Sequence, residues 1–183
     1  MRAARTLLPL FILFAAAAVF ASAQQGARTL VSPDRALRAI ITPTGPGGRE
    51  ANESLVEIRG ARSGLLLRKS FASGDGEHGY GVVRAEWTPD SQFFVFSAQS
   101  SGGHQPWHAP TFAYRRADRR LLAVDDLIGP VSSPLFELRR PGLLYTERWV
   151  VAKQAGRRIT VRLDELSPGT RGRKGAQGIG SKR

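Results

Sequence analysis

Val31-Ser-Pro-Asp34 returns 56 residues later as Trp87-Thr-Pro-Asp90, and the match continues without a gap. At the same offset Leu37 meets Phe93, Ala39 meets Val95 and Ile40 meets Phe96. Further on, Val56-Glu-Ile-Arg59 meets Phe112-Ala-Tyr-Arg115, Ala61 meets Ala117, and Leu65-Leu66 meets Leu121-Leu122. Apolar positions, turn residues and spacing agree together, which marks an internal duplication. The shared tetrapeptide is a turn, because proline pre-sets φ and aspartate bonds the backbone that follows it.

Each unit reads as a four-stranded antiparallel meander. In the second unit the predicted strands are 82–87, 93–98, 111–116 and 121–126, with 116–119 as a tight hairpin turn. Phe93-Phe-Val-Phe96 is apolar at every position, so that strand is expected to be buried on both faces. Val56 and Ile58 alternate with Glu57 and Arg59, the pattern of a strand with one wet face. A shortened third unit follows, with strands at 136–138, 143–149 and 158–163, the last two joined through Ala155-Gly156. The expected fold is all-β: duplicated four-stranded antiparallel meanders plus a C-terminal hairpin, in units of about 27–80, 81–134 and a partial 135–166. Trp87 and Trp149 are expected in the core.

A Ser-Pro-Asp turn before a hydrophobic strand, with an aromatic just ahead of it in the second copy, resembles the repeat of TolB-type and WD-like β-propellers. The residues that carry the resemblance are Ser32-Pro33-Asp34 and Trp87-Thr88-Pro89-Asp90. The glycine that follows the aspartate in that repeat is Arg35 or Ser91 here, and two and a half units are fewer than the 4–8 blades of a closed ring. The resemblance implies blade-like sheets used as a binding scaffold.

The ends of the chain have other roles. Arg2 and Arg5 precede an uncharged apolar stretch from Leu7 to Phe20, and Ala21-Ser-Ala23 supplies small residues before Gln24. These are the three parts of a cleavable secretory signal over 1–23, and the apolar run is short for a membrane span. Residues 167–183 hold five basic residues, no acidic residue and one aliphatic side chain, so this tail cannot bury enough surface to order itself. It could touch an anionic surface weakly; without an aromatic to stack on bases it offers no specific nucleic-acid contact. Removing the seven basic residues of the signal and the tail lowers the formal charge from +12 to +5, so the body is only mildly basic. Arginine outnumbers lysine heavily, which points to a GC-rich bacterial genome and therefore to a periplasmic or secreted protein. The chain has no cysteine, which excludes disulfides, thiolate metal sites and a lipidated N-terminal cysteine. The body is therefore read as one domain, 24–166, stabilised by core burial alone.

Meander topology places the chemistry. Strands alternate in direction, so the loop between strands two and three lies at the same end as the linkers between units. That end carries 71–81 and 99–110, which hold all three histidines (His78, His104 and His108) together with Tyr80, Ser100, Ser101 and Trp107. The matching loop of the first unit, 42–53, has no histidine or tryptophan. Loops are where sites are usually carried. Three readings compete for this edge. In the first it binds an envelope protein or a glycan, with Trp107 and Tyr80 as flat platforms and Ser100, Ser101, His104 and His108 as a hydrogen-bonding rim. In the second His78, His104 and His108 hold zinc or copper, although Pro106 opposes the helix on which a His-x-x-x-His pair usually ligates. In the third Trp107 simply packs over a sheet edge. Hydrolysis has little support, since no Gly-x-Ser-x-Gly elbow exists. The glycine-rich stretch 74–81 lacks the lysine of a phosphate loop. No catalytic residue and no resident cofactor are assigned. Asn52-Glu-Ser54 is a glycosylation acceptor only in a eukaryotic host.

Overall fold

In both repeats the hydroxyl at the head of the turn does the same work. Ser32 Oγ donates to Asp34 Oδ1 (2.7 Å) and accepts from Leu37 N (3.0 Å). Thr88 Oγ1 donates to Asp90 Oδ1 (2.6 Å) and accepts from Phe93 N (3.0 Å). The aspartates accept from Ala36 N and Gln92 N, each at 3.1 Å. The next residue is left-handed in both copies, Arg35 at φ 60° and Ser91 at φ 62°. The duplication is thus one of geometry as well as of sequence. The computed structural model describes residues 26–46, 52–62, 64–139 and 142–166. The expected signal segment, 1–23, and the basic tail, 167–183, lie outside the described residues.

Three antiparallel sheets follow one another along the chain. The first has β1 (Arg28–Val31), β2 (Leu37–Thr44), β3 (Glu53–Gly60) and β4 (Leu65–Ser70) in that order. The second repeats it with β5 (Tyr80–Trp87), β6 (Phe93–Ser100), β7 (Thr111–Arg115) and β8 (Arg120–Ala123). The third has three strands, β9 (Glu137–Arg139), β10 (Leu143–Val150) and β11 (Ala155–Arg162). The all-β, duplicated-meander expectation therefore holds, and the hairpin β10–β11 follows the two meanders as expected. No helix among the described residues is long and apolar enough to cross a membrane.

Side-chain alternation explains why the sheets stack. From the middle sheet Phe93, Val95, Ala113 and Leu122 face the third sheet and meet Leu138, Leu144 and Val161. Phe94, Phe96 and Tyr114 face the first sheet and meet Ala39, Ile41, Val56 and Ile58. Strand β6 therefore has a core on each side, which is why four consecutive apolar residues suit it. The register aligns Val95 with Ala113 and Ala113 with Leu122, so one face carries one cluster. In the first sheet Val56 and Ile58 are fully buried while Glu57 and Arg59 remain half-buried, as the alternation required.

Three local expectations are corrected. Asp125 and Asp126 do not extend β8; they open a four-residue helix, α1 (Asp125–Ile128). The turn between β10 and β11 is not at Ala155-Gly156. It is a 3-10 turn at Val151–Lys153 closed by left-handed Gln154, and Ala155 already pairs with Val150. Trp149 lies outside both apolar clusters and is half-buried, whereas Trp87 is a core residue whose indole N–H donates to Leu30 O (3.0 Å).

Candidate functional site: the loop edge

Two carboxylates build the edge. Glu53 begins β3 and is 1% exposed, a location a carboxylate tolerates only when fully hydrogen-bonded. It accepts from Ser73 N (2.7 Å), Ser73 Oγ (2.5 Å), Gly79 N (2.8 Å) and Ser101 Oγ (2.9 Å). Burial pushes its carboxyl up, but the bonds from Ser73, Ser101 and Gly79 outweigh that and hold it below the ordinary value. One side chain thus ties the linker between the first two sheets to the β6–β7 loop. Gly79 and Gly81 are there for close approach. A Cβ at Gly79 would collide with Glu53 Oε1 and the Phe71 carbonyl, and one at Gly81 with the Asn52 carbonyl.

Asp125 does the corresponding work at the second linker. Its carboxylate accepts from Thr111 N (3.0 Å) and Val131 N (3.1 Å), and its Oδ1 lies 2.8 Å from His108 Nε2. A carboxylate oxygen only accepts, so Nε2 carries the proton of this contact. The linker to the third sheet and the end of the Trp107 loop are pinned together.

The predicted site residues fall into two groups on this scaffold. His78 and His104 are both exposed and stack with ring centroids 5.0 Å apart and planes 13° apart. His78 Nδ1 also lies 2.5 Å from Asp75 Oδ2. Hydrogen bonds from the Glu77 backbone and Ser73, followed by His78, hold the Asp75 carboxyl well below the usual carboxylate range. Beside His104 lies an open cavity of about 470 Å³ lined by Glu53, Asp75, Glu77, Ser101 and His104 among others. The second group is Trp107 with His108, stacked at 5.5 Å and 24°. Trp107 is 44% exposed and its indole lies 6.1 Å from that of Trp149, tilted 41°. Trp149 arrives from β10 and was not recognised as a site residue, because nothing in its local pattern separates it from a core strand residue. Tyr80 and Ser100 are cross-strand partners at the end of the β5–β6 ladder. Ser101 turns its hydroxyl inward to Glu53, so it is a strut more than a rim donor.

Two of the three imidazoles have carboxylate partners of their own, His108 with Asp125 and His78 with Asp75, and His104 stacks on His78. Among the described residues no three His, Asp or Glu side chains converge in a way that would hold a metal ion. No serine hydroxyl bonds either aspartate-paired imidazole among the described residues. What the edge offers is a preorganised surface of aromatic faces and polar rims. No protein family, curated protein or solved structure matches the chain.

Proposed function

We propose that this is an exported, non-catalytic recognition domain that captures an envelope protein or glycan through its loop edge, with Trp107, His108 and Trp149 at the centre and His78, Tyr80 and His104 beside them. One observation carries the reading: an indole, 44% exposed, sits on a loop whose ends are held by buried or half-buried carboxylate bonds. An exposed large aromatic on a rigid base loses little entropy when a partner covers it, and such residues are the usual hot spots. The blade-like sheets and their matching Ser/Thr-Pro-Asp turns support the view of the body as a scaffold of the β-propeller-repeat kind, with the loops carrying the specificity.

The test uses the mature chain, 24–183, against a panel of envelope glycans and envelope proteins. A hit should weaken by roughly thirtyfold in Trp107→Ala, the loss of a hot spot worth about 2 kcal/mol. Hits that bind wild type and Trp107→Ala equally would remove the loop edge from the function. Zinc or copper at about one per chain, lost in His104→Ala, would replace recognition by coordination.

A further inference from the structure

The third strand of each sheet occupies the same place in its meander, yet among the described residues only one of the three lacks an outer neighbour. Strand β3 is covered by β4 and β7 by β8, and their residues are mostly buried or half-buried. Strand β11 is the outer strand of the third sheet, and six of its eight residues are exposed. After β11 the chain makes a 3-10 turn and buries Leu166, whose carbonyl accepts from Arg115, and no strand among the described residues pairs with the outer edge of β11. Every other residue along an unpaired edge presents N–H and C=O groups to solvent, a ready template for one more strand.

From this arrangement we infer that β11 is a docking edge for an acidic extended segment of a partner protein, which adds antiparallel as the fourth strand of the third sheet. Charge decides the occupant. Strand β11 reads Ala-Gly-Arg-Arg-Ile-Thr-Val-Arg and has no acidic residue. Arg157 and Arg158 put two cationic side chains, one on each face, near the start of the strand, and Arg157 lies opposite a third arginine, Arg148, in register. The Arg158 side chain is 94% exposed and its ion pair with Glu147 is long at 3.7 Å, whereas Arg162 is held by Asp164 at 2.7 Å. A second copy of β11 would set arginines against arginines. The chain's own residues 167–183 carry five basic and no acidic residues, and are disfavoured for the same reason. Alternation specifies the guest further. Ile159 and Val161 belong to the apolar side, while Arg158, Thr160 and Arg162 share the other face. The fitting segment alternates aliphatic residues with glutamate or aspartate.

The experiment titrates the mature chain into fluorescein-labelled (Glu-Thr-Glu-Val)2 and reads anisotropy. The acidic peptide should bind saturably and at least about tenfold more tightly than (Lys-Thr-Lys-Val)2. The proline-bearing (Glu-Pro-Glu-Val)2 should bind more weakly, because its two prolines each remove a backbone donor. Arg157→Glu/Arg158→Glu should reverse the charge preference; if that variant fails to fold, Arg158→Glu alone should lower it. Trp107→Ala should leave the titration unchanged, so this edge and the loop edge are tested apart. The inference is overturned by no acidic-peptide binding up to about 1 mM, or by equal binding of the proline peptide. It is also overturned by a concentration-dependent dimer that protects the β11 amides from exchange.

Discussion

Glu53 is the residue on which the loop edge depends. Its Ala variant would leave the Ser73 and Gly79 amides without their acceptor and the Ser73 and Ser101 hydroxyls with only Asp75 and the Gly79 carbonyl. The expected loss is about 2–4 kcal/mol by chemical denaturation. The sign with pH is set by its lowered carboxyl. A depressed folded value stabilises above the unfolded value, near pH 4.3, and the gain is lost as pH falls through the folded value. Asp34 adds to the same limb: the Ser32 hydroxyl, then Arg116, holds its carboxyl well below the usual range. Stability should therefore decline below about pH 4, and Glu53→Gln should flatten that decline. A second test concerns the left-handed residues after the turn aspartates. Arg35 is exposed, so Arg35→Gly should raise stability by about 0.5–1 kcal/mol. Ser91→Gly should gain less, since Ser91 Oγ accepts from Asp34 N across the two sheets (3.1 Å). Tyr114 is fully buried and its hydroxyl has no partner. Tyr114→Phe should be neutral or more stable by about 1 kcal/mol.

At the scale of elements, strands were legible and their connections less so. The strands of the middle sheet were readable because period-two alternation and the Thr-Pro-Asp turn leave few alternatives. The four-residue helix at Asp125–Ile128 was not, because its formation depends on Asp125 reaching back to Thr111 N and on to Val131 N. Those partners are 14 and 6 residues away. The hairpin turn at Val151–Lys153 was misplaced by a few residues for a similar reason: no glycine or proline marks it, and Gln154 takes the left-handed position instead. If α1 and its aspartate hold the Trp107 loop, Asp125→Ala should speed hydrogen exchange at 108–111 and red-shift the Trp107 emission. An unchanged exchange pattern would detach the loop from that carboxylate.

For the whole molecule, the shared strand β6 links the two cores. Phe94 and Phe96 serve one and Phe93 and Val95 the other, so neither outer sheet has a core without the middle one. A single cooperative transition is expected. It can be checked with single-tryptophan variants that retain Trp87, at the first interface, or Trp149, near the second. Coincident denaturation midpoints would support one unit, and separated midpoints would show that the third sheet melts alone. Removing a ring at the shared strand, Phe96→Ala, should cost about 3–5 kcal/mol.

The amino-acid sequence alone determined the duplication, the strand pattern, the double-sided burial of 93–96 and the end of the molecule where the histidines gather. The duplication is legible as a match at an offset of 56 residues, and the rest follows from short-range periodicity and the alternation of strand direction. Only the tertiary structure decided that His108 belongs to Asp125 and not to the other imidazoles, that Trp149 stands beside Trp107, and that Glu53 anchors a serine 48 residues away. Those choices depend on how three sheets stack. A carboxylate's partner in space is set by that stacking and leaves no mark on its neighbours in the chain.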